Sequence, residues 1–259
     1  MASGKFLNKN IGVFGLGKSG LAAIEFLKKE GANVIAWDDN QAAIQAVGNK
    51  VDLKDLSDNS WQEIETLILS PGIPLHFPEP HAVVKLARKN GVKIISDIEL
   101  LYLANPQAKY VGITGTNGKS TTTSLTAHIL KENGVKTEVG GNLGIPALSL
   151  KSLSSDEVYV LEMSSFQLDL LEETKFNIAV LLNVTPDHID RHGNLENYIE
   201  AKLNIFRNQT KDDVAIICID NEICAEIYER FTRENKPAKI IPISAKTQLE
   251  HGVSVIGKI

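Results

Sequence analysis

Two cysteines and two methionines are all the sulfur in 259 residues. Two cysteines make no disulfide framework. Cys218 in the apolar run VAIICI, and Cys224 just beyond it, stand where small hydrophobes stand, so both are expected reduced and structural. Basic charge is not in excess either: 27 Lys and Arg face 32 Asp and Glu, mixed along the chain, for a net charge of −5. This argues against nucleic acid or an anionic membrane as the main partner, since both want a basic patch. No apolar run is long enough to span a bilayer, and the start MASGKFLNKN lacks the apolar core of a secretory signal. A cytoplasmic protein is expected. There is no repeat of fixed short period and no low-complexity tract, while 43% hydrophobic residues suffice for one large or two ordinary cores.

Short apolar runs alternate with helical patterns. IGVFG, NVIAW, TLILS and VKIIS fall in the first hundred residues, followed by YVGIT, VYVLE, IAVLLN and VAIICI. Such alternation predicts an α/β fold of parallel sheets covered by helices, with ligands at the C-terminal ends of the strands. A proline in the polar stretch LANPQAKY, between helix-like DIELLYL and a new strand, places a domain boundary close to Asn105. The expected domains are 1–105 and 106–259, each opening with a strand, a glycine-rich turn and a helix.

In the first opening, VFGLGKSG, Gly15, Gly17 and Gly20 have the G-x-G-x-x-G spacing of a dinucleotide-binding turn. A helical stretch runs on to Gly31, and Asp38 closes the next strand, about where an acid meets a ribose hydroxyl. The second opening, YVGITGTNGKSTTTSLTAHIL, places Gly115, Gly118, Lys119 and Ser120 in a phosphate-binding loop. Its backbone N–H groups would cradle phosphates, the lysine would reach the terminal ones, and the hydroxyl would hold Mg²⁺. The loop departs from the strict G-x-x-x-x-G-K-[ST] form, because Ile113 stands five before Gly118 and the glycine lies one earlier, at Gly112. Glu162, ending the strand-like VYVLE, stands where phosphate-loop enzymes put the acid that holds Mg²⁺. Without the loop upstream it would read as a solvated strand end.

Further on, Asp187, His188, Asp190 and His192 crowd one short segment, which reads equally as a polar loop or a metal site. The spacing predicts a helix over 195–206, with Leu195, Tyr198, Ile199, Leu203 and Phe206 on one stripe and Glu196, Asn197, Glu200 and Asn204 opposite. Lys202 falls inside the apolar stripe. Such a lysine must snorkel out, find an anion or lose its charge, and desolvation makes its amine nucleophilic. Snorkelling and a site role both stay open for it.

GITGTNGKST, GGNLG, LEMSSFQL, NVTPDHIDRHG and AKLNIF, in this order, resemble the Mur ligases of peptidoglycan synthesis. GLGKSG and SPGI in the first domain are similar to the members that join D-glutamate to UDP-N-acetylmuramoyl-L-alanine. The resemblance covers essentially the whole chain. It implies a Rossmann-like N-terminal domain whose glycine turn faces UDP instead of NAD, followed by a P-loop ATPase-like central domain. It also implies ATP-dependent amide formation through an acyl phosphate, with Mg²⁺, in the cytoplasmic steps of cell-wall synthesis.

By resemblance Lys18, Ser19, Asp38, Ser70 and Gly72 contact the UDP moiety, and Asn142, Ser164, Phe166 and His188 reach the substrate from the second domain. Gly115, Thr116, Asn117, Gly118, Lys119, Ser120 and Thr121 would hold ATP, and Ser120, Glu162, His188 and Lys202 would support metal. Lys119, Glu162, His188 and Lys202 form the implied catalytic set. The family's counterpart of Lys202 is carbamylated by CO₂, which implies the same here. Asp39 departs from the family pattern, in which some members carry threonine at this place.

Family members continue into an H-N-x-x-N segment and a third domain that helps bind D-glutamate and closes over ATP. The 259 residues are therefore expected to be a truncated piece, monomeric, and weakly active or inactive alone. Three alternatives remain: an NAD-dependent oxidoreductase, a sister ligase adding another amino acid, and a non-catalytic nucleotide-binding module.

Overall fold

The structure is a computed structural model that describes residues 4–56, 60–142 and 144–255. Leu143 of GGNLG and the last four residues of GVSVIGKI lie outside the described residues.

The first part of the chain builds a five-stranded sheet from β1 (Asn10–Phe14), β2 (Asn33–Trp37), β3 (Asp52–Leu53), β4 (Thr66–Leu69) and β5 (Lys93–Ile95), in the order β3-β2-β1-β4-β5. Helices α1 (Lys18–Lys29), α2 (Gln41–Val47) and α3 (Ala82–Lys89) lie between these strands, and α4 (Asp97–Ala104) leads from β5 to the second part. The second part begins with β6 (Lys109–Thr114), α5 (Lys119–Glu132), β7 (Thr137–Gly141) and β8 (Val158–Glu162). It continues through α6 (Ser165–Leu168), β9 (Ile178–Leu181), α7 (Ile189–His192) and α8 (Leu195–Leu203). It closes with β10 (Val214–Cys218), α9 (Glu222–Arg233), β11 (Lys239–Ser244) and β12 (Val253–Ser254). The second sheet has the order β12-β11-β10-β9-β6-β8-β7.

Every described strand pair is parallel. The expected α/β class with parallel sheets therefore holds. The reason is visible in the strands: β8 is buried at all five positions and β1 at its last four, as happens when helices cover both faces of a sheet. No described helix is long and apolar enough to cross a membrane.

All eight apolar runs form strands. The helix expected over 195–206 is α-helical only to Leu203, and Asn204–Phe206 tightens into a 3₁₀ turn. The apolar stripe survives this change, with Tyr198, Leu203 and Phe206 buried.

The two sheets share packing. Buried Leu16, Ala22 and Ile98 of the first part belong to one apolar cluster with Ala147, Leu148 and Leu153 of the second. Glu99 of α4, fully buried, accepts hydrogen bonds from the backbone of Glu172 (3.2 Å), Glu173 (2.7 Å) and Thr174 (3.0 Å), and from the Thr174 hydroxyl. Lys93 adds ion pairs to Glu172 and Glu173 at 2.9 and 3.0 Å. One carboxylate thus satisfies the donors of a turn from the other part of the chain, where buried unpaired amides would be costly.

Candidate active site at the strand ends

Two glycine turns follow the first strand of each sheet. In the first, Gly15 donates to the Trp37 carbonyl at 2.9 Å and the turn leads into α1, whose N-cap Gly17 is exposed. Gly20 must be glycine for a spatial reason: a Cβ there would sit 1.8 Å from the Gly15 carbonyl oxygen, so the helix can approach the turn only without a side chain.

Asp38 spends both carboxylate oxygens on this turn and the next one, accepting from Leu16 N at 2.6 Å and from Asn40 N at 2.7 Å. The Ser70 hydroxyl donates to the Gly15 carbonyl at 2.8 Å. Both residues therefore shape the turn, with Asp38 half-buried, while Lys18 and Gly72 are exposed and Ser19 is half-buried. Asp39 is exposed and pairs with His81 at 2.8 Å. A hollow of about 390 Å³ opens here, lined by Phe14, Trp37, Asp38, Asp39, Gln41 and His81 among others.

The second turn, Gly115–Gly118, joins β6 to α5. Asn183, just past β9, braces it: Thr116 N donates to the Asn183 carbonyl (3.0 Å), Asn117 N to Oδ1 (2.8 Å), and Asn183 Nδ2 returns a bond to the Asn117 carbonyl. Lys119 Nζ lies over the loop, donating to the carbonyls of Gly115 (2.9 Å) and Thr116 (2.8 Å). Thr121 is exposed on the first turn of α5. Ser120 Oγ donates to Glu162 Oε2 at 2.8 Å, and Asn142 Nδ2 donates to Glu162 Oε1 at 2.8 Å. Glu162 is only 2% exposed. The strand order places it there, because β8 lies beside β6 with Ile113 in register with Glu162.

Lys202 is 2% exposed, so snorkelling is excluded. Its Nζ donates to the Gly115 carbonyl at 3.0 Å and lies 4.6 Å from the centre of the Tyr198 ring. Two ammonium groups thus converge on one carbonyl. Burial, reinforced by the charge of Lys119, pushes the Lys202 amine down to about 7, against opposing effects of Asp187 and Cys224.

In an unfolded chain a lysine titrates near 10.5. Between these values the unfolded chain binds more protons than the folded one, so stability is gained as pH rises from 7 and lost as it falls back. The slope approaches about 1.4 kcal/mol per pH unit. We expect Lys202→Met to be more stable than wild type at pH 7, the difference shrinking by pH 9, in urea unfolding at matched ionic strength. Parallel pH profiles for the two proteins would contradict this placement of the amine.

The segment after β9 divides its polar groups. His192 is buried, with Nε2 3.0 Å from Ser165 Oγ, and burial pushes its imidazole down to about 4. His188 is exposed, with Nε2 3.5 Å from Asp187 Oδ2 and its ring 5.1 Å from that of Phe166; Asp190 is exposed. Among the described residues no three His, Cys, Asp or Glu side chains converge on one point. Ser164 caps α6 through a reciprocal pair with Gln167.

Asp97, the first residue of α4, is buried beside Ser19 and Gln167. Its Oδ1 accepts from Ile98 N, and burial pushes the carboxyl up against the opposing hydrogen bonds of Ile98, Gln167 and Ser19. Sequence reasoning missed Asn183, Asp97 and the role of Tyr198 as a wall for Lys202. Asn183 alone had a signal, as a polar residue ending an apolar strand.

This pairing of turns is matched by known families. Residues 113–255 match the Mur ligase middle domain. The chain belongs to the Mur ligase family. Residues 9–96 of this Mur ligase chain match the Mur ligase MurD-like, N-terminal domain. It is 49% identical over 244 residues to a UDP-N-acetylmuramoylalanine--D-glutamate ligase from Wolbachia pipientis wMel, covering 93% of the chain and 46% of that protein. A relative of the same description from Rickettsia bellii (strain RML369-C) is 44% identical over 254 residues, covering 97% of the chain and 55% of the relative. The chain thus spans about half the length of the curated relatives it matches.

Among solved structures, UDP-N-acetylmuramate:L-alanyl-gamma-D-glutamyl-meso-diaminopimelate ligase from Neisseria meningitides has a similar fold. The TM-score is 0.58 at 18% identity, over 95% of this chain and 82% of that one.

Proposed function

We propose that this Mur ligase chain supplies the nucleotide-sugar and ATP sites of a ligase that joins D-glutamate to UDP-N-acetylmuramoyl-L-alanine in peptidoglycan precursor synthesis. The observation that carries the reading is the pairing of Ser120 with Glu162 at the mouth of the Lys119 loop, with Lys202 buried against the same loop. The names of relatives at 49% and 44% identity support the choice of substrates. We divide the chain after Asn105, giving the first sheet to the sugar nucleotide and the second to ATP.

The residues fit Mg²⁺ and a triphosphate. A hydroxyl and a carboxylate share one hydrogen bond at the start of α5, where N–H groups and the helix dipole favour phosphate. Ser120 and Glu162 would hold the ion, which neutralises phosphate charge when bound. In the reaction the L-alanyl carboxylate oxygen attacks the γ-phosphorus and ADP leaves. The D-glutamate amine then adds to the acyl carbon, loses a proton and displaces phosphate. Lys119 stabilises the transferring phosphoryl charge, and the two cradles keep carboxylate and phosphate in line.

Lys202 would act as a carbamate. Its neutral amine, populated near pH 7, forms an N–C bond to CO₂ and releases one proton, turning a buried cation into an anion that suits a site rich in ammonium and metal charge. His188 would join it as a ligand and substrate contact. Lys18, Ser19 and Gly72 would meet the UDP moiety, with Asp38 and Ser70 shaping its turn, while Asn142, Ser164 and Phe166 would line the muramoyl-L-alanine side.

Calorimetric titration of the chain with UDP-N-acetylmuramoyl-L-alanine tests the reading. Binding is expected to be competed by UDP and not by NAD. Competition by NAD would instead favour an oxidoreductase, and no binding of either would leave the first turn without its assigned ligand.

A further inference from the structure

The segment carrying His188 also reaches the first part of the chain. Arg191 Nη1 donates to the Gly72 carbonyl at 2.9 Å. Gly72 belongs to a turn closed by Ile73 N donating to the Ser70 carbonyl at 3.0 Å, and it is exposed to solvent. The Arg191 guanidinium is held over the Phe166 ring at 4.8 Å, and the same ring stacks on His192 at 5.3 Å with an interplanar angle of 5°. The cation is thus preset by an aromatic face before it meets the carbonyl.

Two residues later the chain touches the same loop again. Gly193 has φ +85°, and a Cβ there would stand 3.0 Å from the Phe77 ring. A side chain at this position would push the Phe77 ring away.

Asp97 also meets Gln167 of α6, while several other polar contacts between the parts lie at the far end of β9. Glu99 and Lys93 engage residues 172–174, ahead of that strand, whereas Asn183 and His188 follow it. Those contacts can hold the sheets together without fixing the separation of the two turns. Arg191 and Gly193 meet the 70–77 loop on the other side of that strand, beside a cavity of about 430 Å³ lined by Pro71, Ile73, Phe166, Arg191 and His192 among others.

We propose that Arg191 is a positioning residue that docks the Ser70–Ile73 turn on the His188 segment and so sets the register between the nucleotide-sugar cradle and the ATP loop. The inference deepens the proposed function and rests on it for the identity of the ligand. A lost charge-assisted bond to a fixed carbonyl corresponds to about ten-fold in affinity.

Arg191→Ala is therefore expected to raise the Kd for UDP-N-acetylmuramoyl-L-alanine about ten-fold and to leave that for a Mg–ATP analogue unchanged. Arg191→Lys, which keeps a donor but loses the planar stack, should fall between them. Low millimolar guanidinium should restore part of the loss in the alanine variant and nothing in wild type. Hydrogen exchange needs no ligand: Arg191→Ala should speed exchange of amides in 70–78 and leave 172–174 as in wild type.

Equal nucleotide-sugar affinity in all three proteins overturns the inference. So does equal loss of both ligands with faster exchange everywhere, the result of a general structural role. If wild type itself fails to bind the nucleotide sugar, the functional reading falls, and the exchange pattern alone decides whether Arg191 docks the turn.

Discussion

Lys119→Ala is expected to cost the chain about 100-fold or more in Mg–ATP affinity, the equivalent of roughly two charge-assisted hydrogen bonds. The lysine spans the loop mouth, donating to the Gly115 and Thr116 carbonyls, and a phosphate chain would take over those donors. Nothing nearby replaces it. Lys202 reaches the same Gly115 carbonyl, but it is buried, and its amine is about half neutral near pH 7.

The variant also has a second signature. The charge of Lys119 helps hold the Lys202 amine down, so its removal moves the Lys202 titration upward and leaves less neutral amine to react with CO₂ at pH 7. Calorimetry with a non-hydrolysable ATP analogue checks the first effect, and ¹³C-bicarbonate labelling followed by NMR checks the second. A variant binding the analogue within a few-fold of wild type would remove the phosphate-loop assignment.

Glu99→Ala is expected to be strongly destabilising, on the order of 4 kcal/mol. Its carboxylate is the shared acceptor for three backbone N–H groups and one hydroxyl, all from Glu172–Thr174. Alanine leaves these donors behind in a place water reaches poorly, and each unmet donor costs about 1–3 kcal/mol.

Glu99→Gln should cost clearly less. Its amide oxygen can take the place of Oε2, which accepts three of the four bonds, while its NH₂ opposes only the Glu173 N–H. Urea unfolding of the two variants and wild type measures the series. Glu99→Ala within about 0.5 kcal/mol of wild type, the range of surface changes, would mean that the turn finds other acceptors and that this clamp does not hold the sheets together.

Most strands were legible because each is an unbroken apolar run that two covering layers of helices demand. The strands without such a run were not. β7 reads TEVGG and β11 reads KIIPIS, with Pro242 one residue before the pairing with β12 begins. β3 has two residues, too few for any period. β12, within GVSVIGKI, likewise has only two residues. The two glycine turns were legible because a strand, a tight turn and a helix fix residue type and local spacing together, and Glu162 was placed at its strand end beside Ser120. Asp38 does follow the second strand, yet its two oxygens serve the backbone of Leu16 and Asn40, a use that depends on how two turns meet.

The sequence by itself determined what short-range physics controls: that the unbroken apolar runs are strands, where each glycine turn opens onto a helix, and that one lysine lies on an apolar stripe. Only the tertiary structure decided which groups meet across the chain. Glu99 looked like one more helix residue until residues 172–174 came to it, and Arg191 like a charge in a polar loop until the Gly72 carbonyl faced it. Such contacts join residues 75 and 119 positions apart. Hydrogen bonds depend on distance and direction in space, and no periodicity in the chain encodes either over that separation.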